Sequence, residues 1–358
     1  MKNGGKRLVE RAALNVTEGN VFDAFDEWLE KSLWPSLGSS NSGAAAGPKE
    51  LELEIDTQSR STALGQEMQQ GEVTETRLLT SESRAGGSRK RHIGIRLPSG
   101  ITYRAGDYLG VLPLNPHETV RRVLHRFGLP WDARIKIGGD AVTYLPKGER
   151  ISAHDILTGM VELGQPVTGK LVSAVADSIP DEQERKKLQE ESEALDFQKT
   201  NVTLLDLLER YPSATLPFGA FLAALPAMRV RQYSISSSPL KDPSVCTLTY
   251  SVIDAPPKSS FKGHNFLGVC TNYLERLTVG TRVQIALRPS RAGFHPPLND
   301  EVPMVMACAG TGLAPFRAFV GERALKKASG KSVGPALLFY GQRAPDEDDM
   351  YRKELDEY

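Results

Sequence analysis

Three stretches carry residues whose type and spacing suit a phosphorylated, flat ligand. The first is Arg231-Gln232-Tyr233-Ser234-Ile235-Ser236-Ser237-Ser238-Pro239. It puts a charge, a ring and a row of hydroxyls on a strand leading into a turn. Side chains alternate along a strand, so Arg231 and Tyr233 share a face and Ser234 takes the other unless the strand bends. A guanidinium can fork onto a phosphate while a ring stacks on a heterocycle. The plain alternative is an ordinary strand with an exposed Arg and a half-buried Tyr. The second stretch, Gly268-Val269-Cys270-Thr271-Asn272-Tyr273-Leu274, opens a helix running to Leu277, with Thr271 as an acceptable N-cap. Free N–H groups there, with a glycine for close approach, suit a pyrophosphate, and a plain capped helix fits the same pattern. The third, Ala309-Gly310-Thr311-Gly312-Leu313-Ala314-Pro315-Phe316, sits between an apolar strand and a helix. Its glycines allow a tight turn against a phosphate, and Pro315 suits a helix's first turn. The strand–turn–helix context favours nucleotide binding over a structural turn.

Other candidates read more simply. Asp346-Glu347-Asp348-Asp349 complements a helix N-terminus better than it suggests a metal site. Arg89-Lys90-Arg91-His92 reads as a solvated strand end. Cys246, Cys270 and Cys308 lie far apart and read as core thiols in a reducing, cytoplasmic setting. There is no CxxC, no HExxH and no His pairing at metal-ligand spacing, so no metal site is expected.

The elements that must position these residues follow from periodicity. Strand-like runs occupy 72–79, 92–97 and 108–112, separated by Gly and Ser clusters. Residues 117–129, 181–195 and 203–211 have helical spacing. Strand signals return at 230–235, 246–252 and 282–287. A β domain is therefore split by a helical insertion of roughly a hundred residues, the size of a small domain. The tail reads as apolar strand, Gly-rich turn, helix, second apolar strand, then the helical DEDDMYRKELDEY. That order opens a parallel nucleotide-binding sheet, which two strands alone cannot complete. At the other end, 20–35 is an amphipathic helix with Phe22, Phe25, Trp28, Leu29 and Leu33 on one face, and it must dock on something. Residues 36–48, small and uncharged, read as a linker.

Composition closes off several classes. The 358 residues carry 44 Lys+Arg against 44 Asp+Glu, which argues against a general nucleic-acid or membrane-surface binder. The longest apolar run, 216–230, is broken by Pro217, Pro226 and Arg229, so no transmembrane span is expected. The basic start has no apolar core and is not a secretory signal.

In this order, and with the insertion between two halves of a β domain, the motifs resemble the diflavin reductase family, of the NADPH–cytochrome P-450 reductase type. The resemblance extends over essentially the whole chain. It runs closest to the reductase half of fungal bifunctional cytochrome P-450/NADPH–P-450 reductases, through GGKRLVERA, FDEWLEKSLWP, LELEIDTQSR, RHIGIRLPSGITYRAGDYLGVLPLNP, FGLPWDA and RVRQYSISSSP. The resemblance implies a multidomain fold: an antiparallel β-barrel FAD domain, ferredoxin-NADP reductase-like, with an α-helical connecting insertion, then an incomplete Rossmann-like α/β NADP domain. The implied boundaries are 1–35 for the end of a flavodoxin-like FMN domain and 36–65 for a linker. The barrel's first part is then 66–116, the helical connecting domain 117–225, the barrel's second part 226–300, and the NADP part 301–358.

The resemblance also implies roles. Arg231 would bind the FAD pyrophosphate, with Gln232 beside it, and Tyr233 would stack on the isoalloxazine. Ser234 would be the catalytic residue near flavin N5. Leu248, Thr249 and Tyr250 would contact the flavin, and Gly268, Val269, Cys270 and Thr271 would hold the pyrophosphate. Gly310, Thr311 and Gly312 would line the nicotinamide–ribose side of NADPH, with Arg77 and Arg343 on the nucleotide. Hydride would pass from NADPH to FAD, then electrons through FMN to a P-450 haem, in relatives a fused fatty-acid monooxygenase. The FMN and haem domains, as partners, would lie outside this chain. The family's 2′-phosphate-reading residues, catalytic Cys and Asp, and flavin-covering aromatic would fall beyond Tyr358. The chain therefore reads as a fragment with Met1 internal. Two alternatives are a fragment that binds FAD without positioning NADPH, and a reductase part for another acceptor such as sulfite reductase.

Overall fold

The computed structural model describes residues 7–13, 21–37, 52–53, 64, 67–80, 89–140, 143–194, 201–256, 264–343 and 348–358. The helix α1, Val21–Trp28, continues through a wide turn at Leu29–Leu33 to Ser36, as the amphipathic pattern requires. Phe25 and Trp34 on it are exposed, and Glu30 pairs with Lys170 of the helical insertion at 2.9 Å. Of the expected linker 36–48, only Ser36 and Leu37 fall within the described residues.

Six strands make the main sheet: β1 Gln69–Leu78, β2 Lys90–Arg96, β3 Tyr108–Val111, β4 Arg231–Ser234, β5 Val245–Ser251 and β6 Arg282–Arg288. Their order is β4-β3-β6-β1-β2-β5, antiparallel throughout. Strands far apart in sequence are thus neighbours, which is how β4, from beyond the insertion, comes to lie beside β3. Val73, Ile93, Ile95, Leu109, Val111, Leu248, Val283 and Ile285 fill the curled interior. Each contributes roughly 1.5–3 kcal/mol by burial.

The expected barrel is not closed. Its edge strands β4 and β5 meet at a single bridge, Ile235↔Leu248, and the Ser236 N–H donates to Thr247 O at 2.7 Å. The cause is local: β4 ends at Ser234 and the chain turns away through the serine run before a ladder can extend.

The insertion has its own core. Helices α2 His117–Arg126, α3 Gly169–Asp177, α4 Glu182–Ala194, α5 Leu204–Arg210 and α6 Phe218–Ala224 bury Val123, Val172, Leu188, Leu205 and Phe221 together. Thr203 caps α5 reciprocally with Asp206, two orphan donors satisfied at once. After the insertion, α7 Val269–Arg276 packs Cys270 and Leu274 onto the main sheet's core. The tail forms β7 Met304–Ala309, α8 Leu313–Ala328 and β8 Ala336–Gly341, with β7 and β8 parallel.

The expected helix over 346–358 is shorter. Among the described residues Asp348 is helical, Tyr351 sits in the left-handed region at φ 63° and breaks the run, and α9 then covers Arg352–Asp356. No helix among the described residues is long and apolar enough to cross a membrane.

Asn115, buried just after β3, fastens the insertion to the sheet. Its Nδ2 donates to Leu157 O and Val161 O, both at 2.6 Å, and its Oδ1 accepts from Leu163 N–H at 3.3 Å. Replacing Asn115 with Leu strands these buried groups. Denaturant unfolding should show a loss of about 2–4 kcal/mol.

Candidate functional site

The first cluster forms where β4 meets α7. Tyr233 lies half-buried with its ring edge-on to Tyr250 of β5, 6.2 Å between centroids. The Cys270 thiol of α7 lies against Tyr233, and burial pushes its pKa up to about 12, so it is a neutral core thiol. Burial likewise raises the Tyr233 and Tyr250 phenols. Arg231 and Tyr233 both approach Cys270, as strand alternation requires, while Gln232 faces solvent. Ser234, half-buried, ends the strand opposite Tyr108.

Gly268, not Thr271, takes the N-cap position of α7. Thr271 lies inside the first turn, where its hydroxyl donates to Gly268 O at 3.2 Å and accepts from Ile253 N–H at 3.2 Å. A Cβ on Gly268 would stand 2.7 Å from Thr271 Oγ1 and 2.8 Å from Ile253 Cβ, so the packing itself requires glycine. Gly268 makes no side-chain cap, and the first N–H groups of α7 lack intrahelical partners. Val269 and Cys270 are buried beside them.

Sequence reasoning missed one residue in this cluster, Glu162. It arrives from the insertion and is 4 % exposed. Its Oε1 accepts from Arg231 Nη2, and its Oε2 has no partner among the described residues. Glu162 N–H donates to Pro226 O at 2.9 Å, and Val161 bridges Ala227, so this segment runs against the chain leading into β4. Gly164 then passes α7 so closely that a Cβ would stand 2.9 Å from Val269. The available signal was a lone acid inside the apolar run GMVELG, since a buried charge demands a partner.

A second cluster forms on the other face of β5. Tyr351 Oη meets Thr249 Oγ1 at 2.7 Å and His92 Nδ1 at 2.8 Å, and His92 Nε2 meets Glu75 at 2.9 Å. Arg77 of β1 lies over the Tyr351 ring at 5.3 Å and Arg317 of α8 at 4.3 Å. Arg317 is buried, donates to Ser236 O at 2.6 Å and pairs with Glu354 at 2.7 Å. Arg77, Arg317, Ser237, Lys241, Lys353 and Glu354 border a cleft of about 1250 Å³.

Thr249 and Arg77 therefore belong to this second cluster, whereas Leu248 is packed into the sheet interior. Gly310-Thr311-Gly312 form one turn of 3₁₀ helix between β7 and α8, with Gly310 at φ 52°, and stand near Lys90. Arg343 is exposed beyond β8, apart from both clusters.

The basic run at 89–92 is not the solvated strand end expected. Arg89 forks onto Glu275 of α7 with two bonds of 2.9 Å, Lys90 pairs with Asp348 at 3.2 Å, and His92 is 1 % exposed. The reason is position: β2 lies between β1 and β5, and its end is covered by α7 and by 348–351. The acidic run shares in this, since Asp348 is buried as the partner of Lys90; Asp346 and Glu347 lie outside the described residues. Among the described residues no group of three His, Cys, Asp or Glu could hold a metal ion.

Residues 68–273 match the FAD binding domain family, and residues 306–358 match the oxidoreductase NAD-binding domain family. The first match contains Arg231–Ser234 and Gly268; the second contains the Gly310–Gly312 turn. The chain is 42% identical over 364 residues to a bifunctional cytochrome P450/NADPH–P450 reductase of Fusarium oxysporum, covering 100% of this chain and 34% of that protein. It is 39% identical over 378 residues to a protein of the same name from Aspergillus oryzae, covering 100% and 34%. It is 42% identical over 357 residues to a self-sufficient cytochrome P450 monooxygenase of Phanerodontia chrysosporium, covering 97% and 33%. The chain spans about a third of the length of these curated relatives.

Burial depresses His92 from an ordinary 6.5 to about 4. The unfolded chain takes up the proton first, so stability attributable to His92 is present above pH 6.5 and lost as pH falls towards 4. Unfolding followed across that window should show a loss of up to about 3 kcal/mol. His92→Gln should flatten the slope there.

Proposed function

The chain belongs to the FAD binding domain family, and on that footing we propose that it is the flavin- and nicotinamide-handling part of an NADPH-dependent diflavin oxidoreductase. The observation that carries the reading is the convergence of Arg231, Tyr233 and the glycine-led start of α7 on one spot, beside a buried polar atom that lacks a partner. Glu162 Oε2 is of this kind among the described residues. Such atoms are costly unless a ligand or water completes them. FAD offers a diphosphate for a guanidinium and helix N–H groups, a ring for Tyr233, and a polyol chain between them.

In this reading Arg231 and the N–H groups of residues 268–271 hold the diphosphate. Tyr233 fixes the ring plane, with Tyr250 edge-on behind it to stop its rotation. Leu248 backs the site from the interior, and Ser234, at the end of β4, would offer its hydroxyl to the bound flavin. The bound flavin supplies the redox chemistry; the protein supplies orientation and keeps water from the ring. On the nicotinamide side, the Gly310–Gly312 turn lets backbone approach a phosphate at the start of α8. Arg77 and Arg343 supply positive charge to the nucleotide.

The matched relatives are named as P450 reductase fusions, so we propose that electrons leave this part through an FMN domain to a P-450 haem, both outside the chain. We divide the chain accordingly: the end of the FMN domain at 1–35, a linker at 36–65, flavin-sheet segments at 66–116 and 226–300, the connecting insertion at 117–225, and the NADP part at 301–358. A cytoplasmic location fits the cysteines, since Cys246, Cys270 and Cys308 are all free.

The test is reconstitution with FAD, then a flavin spectrum before and after anaerobic NADPH. FAD should bind, and Arg231→Ala and Tyr233→Ala should each weaken it about tenfold or more. Bleaching by NADPH supports hydride transfer by this chain. A bound flavin reduced by dithionite and untouched by NADPH restricts the chain to flavin binding. Failure of the wild-type protein to bind FAD overturns the reading.

A further inference from the structure

We propose that Glu162, from the helical insertion, is a ligand-reading residue of the flavin site: its Oε1 anchors Arg231 and its Oε2 accepts a hydroxyl of the dinucleotide's polyol chain. The inference rests on the FAD reading above. Glu162 lies almost wholly out of solvent, yet among the described residues only one of its oxygens finds a donor. A buried carboxylate oxygen with no donor is costly. The neighbouring side chains do not supply one: Arg231 is committed to Oε1 and, through Nη1, to Arg229 O at 3.0 Å.

The position of Glu162 is fixed from several sides. Asn115 holds Val161 O, Glu162 N–H reaches Pro226 O, and Gly164 is wedged against Val269. The acid therefore cannot swing out to water without breaking the join between the insertion and α7. It also sits beside Cys270, which touches Tyr233, so carboxylate, guanidinium and stacking ring are contiguous.

A diphosphate brings only acceptors and would repel a second anion; it cannot complete Oε2. A polyol chain brings hydroxyl donors, and in a flavin dinucleotide it bridges the ring and the diphosphate. Glu162 thus rewards the polyol and lessens attraction for bare diphosphate by partly neutralising Arg231. The insertion would then contribute to the choice of ligand as well as to domain spacing.

The opposed effects give a test that a structural ion pair would not pass. Glu162→Gln keeps the shape. Arg231 orients the amide so that its oxygen replaces Oε1, which leaves an N–H where Oε2 accepted. Calorimetric titration should show FAD binding weakened about tenfold or more. Binding of inorganic pyrophosphate should be unchanged or tighter, because a negative charge has gone. The proposal is overturned if FAD affinity is unchanged, or if FAD and pyrophosphate weaken together alongside a lowered Tm. Should E162Q not fold, Glu162→Asp withdraws the carboxylate by one methylene while keeping its charge. It should lose FAD affinity with pyrophosphate binding retained, and parallel losses would again overturn the idea. A wild-type protein that binds pyrophosphate but no FAD would sink the flavin reading itself, separately from the role of Glu162.

Discussion

A buried guanidinium governs how the parts of this molecule meet. The main sheet curls but fails to close, leaving a seam where β4 and β5 touch at one bridge. Arg317, carried by α8, fills that seam. It donates to Ser236 O on one side and Thr247 Oγ1 on the other, pairs with Glu354, and lies under the Tyr351 ring. Its two terminal nitrogens are met by these partners, while Nε has none among the described residues; removing one partner of such a buried pair costs about 3–5 kcal/mol. The tail therefore cannot shift relative to the sheet without exposing that cost. The seam is the place where the sheet is bridged only once and where the tail is joined to it.

The insertion meets the sheet through polar atoms as well as apolar ones. Its core is continuous and self-sufficient, so packing alone would allow it to sit at many angles. Asn115 and Glu162 remove that freedom. One satisfies three backbone groups around the turn at 157–163, and the other engages Arg231 across the boundary. Directional bonds specify an orientation where hydrophobic contact specifies only proximity.

Much of this was legible from periodicity. The strands over 92–97 and 282–287 and the helices over 117–129 and 203–211 show up as regular spacing, and the structure shifts their ends by a few residues at most. What periodicity cannot express is which neighbour a strand acquires. Arg89, Lys90 and His92 read as solvated because their partners, Glu275, Asp348 and Tyr351, lie 186, 258 and 259 residues away. Glu162 was hidden for the same reason, and the shortened final helix because a left-handed Tyr351 leaves no sequence mark. Of the sequence-predicted site residues, Arg231, Tyr233, Tyr250 and the start of α7 fall in the first cluster and Thr249 and Arg77 in the second, while Arg343 lies in neither; reading Leu248-Thr249-Tyr250 as one unit could not foresee that split.

That division follows from the pleat of β5. Cys246, Leu248 and Tyr250 point into the sheet interior, where Tyr250 backs Tyr233. Thr247 and Thr249 point the other way, to Arg317 and Tyr351. One strand thus presents its inner face to the proposed flavin side and its outer face to the tail and α8. A shift in register by a single residue would exchange the two faces and empty both clusters at once. The neighbouring strand guards against this: His92 opposite Thr249 and Ile93 opposite Leu248 are polar and apolar in step with their partners. The slip would put His92 against the core and Ile93 against Tyr351, leaving the buried imidazole and two hydroxyls without partners. The register of β2 with β5 is therefore held by hydrogen-bond satisfaction on one face and by apolar burial on the other.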